Sequence, residues 1–373
     1  MNETTLVLPD KLAEETIMDR ILDDPATPQK FDPTGMIQWI ENFHEQCAEG
    51  VSIARAFDMP NMQGIQNVVV CGMGGSAIGG DLMRSYASSI ALAPIEVVRS
   101  YQLPRYANEN TLLVASSYSG NTEETLSAYE QAKACGAKIL GISTGGQLAQ
   151  RCQQDGHPCI ITKGGMSPRA ALGYSFMPLL VAFERLGLVE NQSQAIESTL
   201  AILKESSQQF RYNSPFENNF AKQLSKALYG SIPVIYAGQN AFEPIAARWR
   251  AQINENAKTF AHNMVVPEMN HNEILGWKNP KPSILKKLHV VYLLDQGYHP
   301  QTLRRFDVMK KIIEPSAHGV SVVQSKGDSL LARMFYTISV GDFASCYLAY
   351  FYKEDPTPIP AIDFLKAELA KVD

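Results

Sequence analysis

Two hydroxyl-rich loops, one glutamate on a helix and a few scattered cationic side chains hold most of the chemistry this sequence can offer. The first loop runs Cys71-Gly72-Met73-Gly74-Gly75-Ser76-Ala77-Ile78-Gly79, directly after a β-branched run. Glycines let the backbone bend sharply and approach a ligand closely. Ser76 stands where a helix N-cap belongs. Free N–H groups and the positive helix end then face the carboxyl end of the strand, where α/β sheets bind ligands. The second loop, Ser116-Ser117-Tyr118-Ser119-Gly120-Asn121-Thr122-Glu123-Glu124-Thr125, follows another such run. Ser117, Ser119 and Thr122 can each donate to a phosphate oxygen without bringing net charge. Asn121 with Glu124 fits a capping pair in part. Ordinary caps on two helices explain one or two of these hydroxyls, but not the cluster. A third loop, Ser143-Thr144-Gly145-Gly146, is a weak signal alone. No G-x-x-x-x-G-K-[ST] occurs, which argues against a nucleotide triphosphatase. A neutral site of hydroxyls and backbone suits a phosphate monoester.

Proton transfer needs a base. Glu243 to Lys258 reads as one helix with Pro244 in its first turn. Ile245, Trp249, Ile253 and Ala257 form its core stripe. Glu255 lies off that stripe, on the side of Arg248 and Gln252 and near the helix C-terminus. The negative helix end there is expected to raise a carboxylate's pKa, which favours a base working near neutral pH. The plain alternative is a solvated Glu255 paired with Lys258 or Arg248. Arg169, in Ser167-Pro168-Arg169-Ala170-Ala171-Leu172, sits at a helix start after a strand and could stabilise an enediolate; otherwise it pairs with Glu184 or touches the other half of the chain. His271 stands in the turn-like Pro267-Glu268-Met269-Asn270-His271-Asn272-Glu273-Ile274. His262, Glu268 and His271 hint at metal, but neither H-x-x-x-H nor H-E-x-x-H spacing occurs, and no metal site is expected.

The first loop also satisfies G-x-G-x-x-A (Gly72, Gly74, Ala77), and Glu96 lies near the spacing of a ribose-binding acid. Glu96 precedes Val97-Val98, however, and so begins a strand. A ribose ligand belongs at the carboxyl end. A nicotinamide cofactor is therefore not expected.

Elements must hold these groups together. Short apolar runs at Asn67–Cys71, Ile95–Val98, Leu112–Ala115, Lys138–Ile142 and Cys159–Thr162 alternate with helical segments, as do later runs at Ile232–Ala237, Leu288–Leu294 and Val320–Gln324. Such runs read as strands buried on both faces of a parallel sheet. Helical patterns cover Ile37–Phe57, Pro244–Lys258, Thr302–Ile313 and Leu330–Tyr352. A break at Gly187–Gln194 divides the chain into a lead-in (1–30), a first α/β domain (31–190) and a second (205–373), without a residue-level repeat. The 373 residues suit two cores. A net charge of −5 offers no basic field for nucleic acid or an anionic membrane, so the expected partner is small. No run approaches a membrane span. Met1 to Glu15 carries acids and no apolar core, unlike a secretory leader. The six cysteines, Cys47, Cys71, Cys135, Cys152, Cys159 and Cys346, form no C-x-x-C pair, which suggests a reducing, cytoplasmic setting.

Gly72-Met73-Gly74-Gly75-Ser76 with Ser117-Tyr118-Ser119-Gly120-Asn121-Thr122 resembles the sugar isomerase (SIS) domain, a doubly wound α/β fold that binds phosphosugars. Ser167-Pro168-Arg169-Ala170-Ala171-Leu172, Asn254-Glu255-Asn256-Ala257-Lys258 and Pro267-Glu268-x-x-His271-Asn272 narrow this to the bifunctional phosphoglucose/phosphomannose isomerases, over about residues 35 to 370. The resemblance implies two such domains, a homodimer, and interconversion of glucose and mannose 6-phosphate with fructose 6-phosphate without a metal or organic cofactor. It implies phosphate binding by Ser76, Ser117, Ser119 and Thr122 with backbone of Gly74 and Gly75. Glu255 would be the base between C1 and C2, Arg169 would hold the enediolate, His271 of the other subunit would open the ring, and Lys366 would assist at the ring oxygen. Family members carry a Thr-Pro pair before that lysine, the threonine leaving room for the mannose epimer. Here Thr357, or Ile359 on a two-residue offset, occupies that place. Other readings are a non-catalytic phosphosugar-binding regulator and an isomerase of another phosphosugar.

Overall fold

The computed structural model describes residues 21–369 and residue 371. The acidic Met1–Glu15 stretch and most of the lead-in lie outside the described residues. The chain then alternates as follows: α1 (Ala26–Phe31), α2 (Met36–Glu41), α3 (Phe43–Ala56), β1 (Asn67–Cys71), α4 (Gly74–Ala87), β2 (Ile95–Val98), β3 (Thr111–Ser117), α5 (Glu123–Ala134), β4 (Lys138–Ser143), α6 (Gly146–Asp155), β5 (Cys159–Ile161), α7 (Leu172–Arg185) and α8 (Ser193–Phe210). The second half comprises α9 (Phe220–Leu228), β6 (Ile232–Gly238), α10 (Glu243–Asn256), β7 (His262–Val266), α11 (Pro282–Leu285), β8 (Leu288–Leu294), α12 (Pro300–Ile313), β9 (Gly319–Gln324), α13 (Leu330–Phe351) and α14 (Pro360–Leu369).

Two parallel sheets result, ordered β2-β1-β3-β4-β5 and β7-β6-β8-β9. Both therefore reverse direction between their first strand and the strand on its other side, β1/β3 and β6/β8. That switch point is where a doubly wound sheet opens a crevice at the carboxyl ends of its strands. The two halves share this order although their residues show no repeat.

In the inner strands side chains alternate between two buried faces, whereas β2, β5 and β9, expected to be buried on both faces, are partly exposed at the sheet edges. In the first sheet Val68, Val70, Leu112 and Val114 join a core shared by both halves, while Val69, Leu113 and Ile139 pack on the other face against α5 and α6. In the second sheet Ile235, Ala237, Val291 and Leu293 face the shared core, and Val234, Tyr236, Val290 and Tyr292 face away from it. Burying such a Val, Leu or Ile fully contributes about 1.5–3 kcal/mol. The 22-residue α13 is buried almost all round, as a helix apolar on most sides is, and its few polar side chains, Asp342 and Ser345 among them, are buried with it. It packs on α8, α9 and α10. Gly341 permits the closest of these approaches: a Cβ there would lie 2.3 Å from the Trp249 indole of α10. No helix among the described residues is long and apolar enough to cross a membrane.

Three local expectations are corrected. The helix expected over Ile37–Phe57 breaks at Asn42 into α2 and α3. Ser76 is not the N-cap of α4 but its third residue, because Gly74 already turns into the helix. Asn121 does not cap α5, which Thr122 precedes; its Oδ1 accepts from Gln147 N instead, at 3.1 Å.

Candidate functional site

The two hydroxyl loops leave β1 and β3, neighbours at the switch point of the first sheet. Their hydroxyls join them. Tyr118 N donates to Ser76 Oγ at 3.1 Å, Ser117 Oγ and Thr122 Oγ1 lie 2.9 Å apart, and Gly120 N donates to Ser117 Oγ at 3.1 Å. Asn121 N reaches Ser119 Oγ at 3.3 Å. Ser76 and Ser117 are buried, whereas Gly74 and Ser119 are exposed. The outcome is a rigid cradle with an open rim. Gly74 takes a left-handed backbone, φ +51°, that side-chain-bearing residues rarely adopt.

Arg169 is brought against this cradle by the short 3-10 turn Pro168–Ala170. Gly75 is the contact: a Cβ there would meet Pro168 O at 2.7 Å. The Arg169 guanidinium then crosses to the second half of the chain. Its Nε donates to Asn256 Oδ1 at 2.7 Å, its Nη1 lies 3.5 Å from Glu255 Oε2, and its Nη2 donates to Thr357 O at 2.9 Å and to Pro356 O. Arg169 thus touches the other half of the chain and does not pair with Glu184, while Glu255 pairs with neither Lys258 nor Arg248. Burial pulls the Arg169 guanidinium below its usual value, and Glu255 opposes that pull.

A buried framework from α13 holds both groups. Arg248 donates to Asp342 at 2.7 and 3.2 Å and to Arg169 O at 2.9 Å; Gln252 also donates to Asp342, at 2.9 Å. Asn256 Nδ2 donates to Ser345 Oγ at 2.9 Å. Burial raises the Asp342 carboxyl, and the Arg248 charge and bonds counter it. Lys258 Nζ donates to Asp355 O at 2.6 Å and to Asn256 O at 3.2 Å, tying the C-terminal segment to the end of α10. In sequence Asn256 stands only within the motif around Glu255, Arg248 only as a possible partner of Glu255 and Asp342 not at all; their buried partners reveal what they hold.

Thr357 thus lies beside Arg169, and its hydroxyl is buried without a hydrogen-bond partner. His271 and Lys366 are exposed and make no hydrogen bond or ion pair to Arg169 or Glu255 within one chain. His262 pairs with Glu273 at 2.9 Å, not with a metal-like cluster, and no metal-holding group of His, Cys, Asp or Glu occurs among the described residues. A 760 Å³ cleft lined by Arg84, Glu96 and Arg99 runs along β2 and shares no lining residue with Arg169 and Glu255.

The arrangement joins a hydroxyl-lined cradle to a carboxylate–guanidinium pair spanning two doubly wound sheets. Residues 217–369 match the family model of the bacterial phospho-glucose isomerase C-terminal SIS domain. The chain superposes on a glucose-6-phosphate isomerase like protein from Thermus thermophilus with a TM-score of 0.60, covering 91% of this chain and 99% of that one at 18% identity, which shows a common fold. Fold and site together define a protein of the sugar isomerase domain class. The chain is also 44% identical over 338 residues to the bifunctional phosphoglucose/phosphomannose isomerase of Caldicellulosiruptor bescii, covering 90% of this chain and 99% of the relative. It is 34% identical over 333 residues to the enzyme of that name from Aquifex aeolicus, covering 89% and 97%. The chain belongs to the bifunctional phosphoglucose/phosphomannose isomerase family.

Proposed function

We propose that the protein interconverts glucose 6-phosphate and mannose 6-phosphate with fructose 6-phosphate by proton transfer through a cis-enediol. The observation that carries this reading is the Arg169–Glu255 contact of 3.5 Å, assembled from both halves beside the hydroxyl cradle. The relatives' names agree with it.

In this mechanism Ser76, Ser117, Ser119 and Thr122, with the backbone of Gly74 and Gly75, hold the phosphate. Glu255 takes the proton from C2 of the open-chain aldose and returns it to C1, while the C1 carbonyl oxygen gains a proton and the C2 hydroxyl loses one. Arg169 stabilises the negative charge that develops on oxygen, the role a metal ion would otherwise fill. Thr357, with its free buried hydroxyl, borders the space for the C2 epimers. His271 of a second copy opens the sugar ring and Lys366 assists at the ring oxygen. That assignment makes the working form a homodimer, since neither group reaches the Arg169–Glu255 pair in one chain. The proposal includes a division into residues 31–190 and 205–373 with 1–30 as lead-in, and a cytoplasmic setting, which the scattered free thiols favour.

The test is an assay of purified protein with excess chelator, following fructose 6-phosphate from each aldose phosphate. Turnover of both supports the dual isomerase. Glucose 6-phosphate alone would narrow the function and point to Thr357. Phosphosugar binding without turnover of either would overturn the enzymatic reading.

A further inference from the structure

Among the six free cysteines, Cys152 and Cys159 stand apart because they face each other across one missing side chain. Cys152 lies in α6 and is fully buried; Cys159 opens β5 and is half-buried. Gly141 of β4 is the strand partner of Cys159. A Cβ on Gly141 would sit 2.7 Å from Cys159 Sγ and 3.0 Å from Cys152 Sγ, so both sulfurs occupy the space that this glycine leaves open. The loop between them is short and held: Gly156 ends α6 in a left-handed conformation, and His157 N donates to Cys152 O at 2.8 Å.

Access exists from one side only. A 530 Å³ cleft is lined by Cys159, His157, Gly145 and Gly146, but not by Cys152. Of the two sulfurs, one is therefore reachable and one is shielded. The neighbouring Cys159 thiol holds Cys152 below the usual thiol value, and the same contact, with burial, raises Cys159. A reachable sulfur beside a shielded one is the arrangement of an entry thiol with its resolving partner.

We propose that Cys152 and Cys159 form a reversible disulfide, entered through Cys159 by exchange with a small disulfide such as glutathione disulfide. The Cys159 thiol gives up its proton and its sulfur attacks one glutathione sulfur, breaking that S–S bond and releasing one glutathione thiolate, which takes up that proton. The Cys152 sulfur then attacks Cys159, expelling the second glutathione, which takes the remaining thiol proton. Two protein thiols are oxidised and one glutathione disulfide is reduced to two thiols. The bridge pins α6 to β5. The first turn of the same helix backs the hydroxyl loop, Leu148 N donating to Gly120 O at 2.9 Å, so reduced and oxidised forms differ at an element that supports the cradle.

The full-length protein is incubated with glutathione disulfide, alkylated after denaturation and mapped by peptide mass. Two alkylation sites should be lost, with a linked peptide joining Cys152 to Cys159, and both sites should return with dithiothreitol. Cys152→Ser should stop at a single glutathione on Cys159, and Cys159→Ser should leave Cys152 alkylatable. Six alkylatable thiols after oxidation, or a bridge through Cys135 or any other pair, would overturn the proposal. So would glutathionylation of Cys159 in the unaltered protein without resolution by Cys152.

Discussion

Arg169 is oriented by Asn256: the guanidinium Nε donates to Asn256 Oδ1 at 2.7 Å while the same amide donates from Nδ2 to Ser345 of α13 at 2.9 Å. Asn256 is fully buried, so neither bond is exchanged with water. The residue next to the proposed base therefore sets the direction of the proposed electrophile, and α13 sets both.

Asn256→Ala should break this bracket. It leaves a buried guanidinium N–H without a partner, at a cost of about 1–3 kcal/mol, while the Ser345 hydroxyl keeps its bond to Asp342 O at 2.8 Å. Chemical unfolding should show that loss. Isomerase turnover should fall more than the Michaelis constant rises, because the phosphate cradle is untouched.

Glu255→Gln is the test of the base. The amide keeps the shape and can still meet solvent, but it cannot take a proton from carbon. Turnover should fall by about 10²–10⁴-fold, the usual worth of a positioned general base. Binding of glucose 6-phosphate, followed by calorimetry, should persist. Retained turnover would remove Glu255 from the mechanism.

The strands with continuous apolar runs were legible from residue order because burial on two faces leaves its mark on every position. Strand β7 was not. His262 and Asn263 begin it and four of its five residues are only half-buried at a sheet edge, so no apolar run marks it. Helices α8 and α9 were likewise silent between the two rhythms. At the site, Glu255 stood out through its place off the Ile245–Trp249–Ile253 stripe, and the hydroxyl loops through their density. The partners Asn256, Arg248 and Asp342 were hidden because a buried polar group shows its purpose only once its hydrogen bonds are known. The place of Arg169 depended on Pro168 meeting Gly75, a contact between segments far apart in the chain that no local pattern encodes.

His289 predicts an acid limit to stability. It is buried at the start of β8, with Nε2 2.8 Å from Ser321 Oγ, Nδ1 unpartnered, and the His318 ring 5.9 Å away. Burial first, and the His318 charge second, push its pKa down to about 4 from the ordinary 6.5. Below pH 6.5 the unfolded chain binds a proton that the folded chain refuses until about pH 4. Stability should therefore be full above pH 6.5 and fall by up to about 3 kcal/mol as the pH drops to 4, at about 1.4 kcal/mol per pH unit. Urea unfolding at several pH values checks this, and His289→Phe should flatten that part of the profile.

Gly75→Ala separates the cradle's geometry from its hydroxyls. The added Cβ would lie 2.7 Å from Pro168 O and 3.0 Å from Pro168 C, both backbone atoms of the turn that carries Arg169. Backbone cannot swing aside as a flexible side chain can, so either α4 or the Pro168–Ala170 turn must move. Every hydroxyl of the cradle is left in place by this change. If the turn moves, Arg169 loses its approach to Glu255, and a displacement of about 1 Å is enough to cost on the order of 10²-fold in rate. If α4 moves, Ser76 is drawn from Tyr118 N and phosphate affinity falls instead. The split between turnover and Michaelis constant in Gly75→Ala therefore reports which side yields. Unchanged values of both would show that the Gly75–Pro168 contact does not position the site.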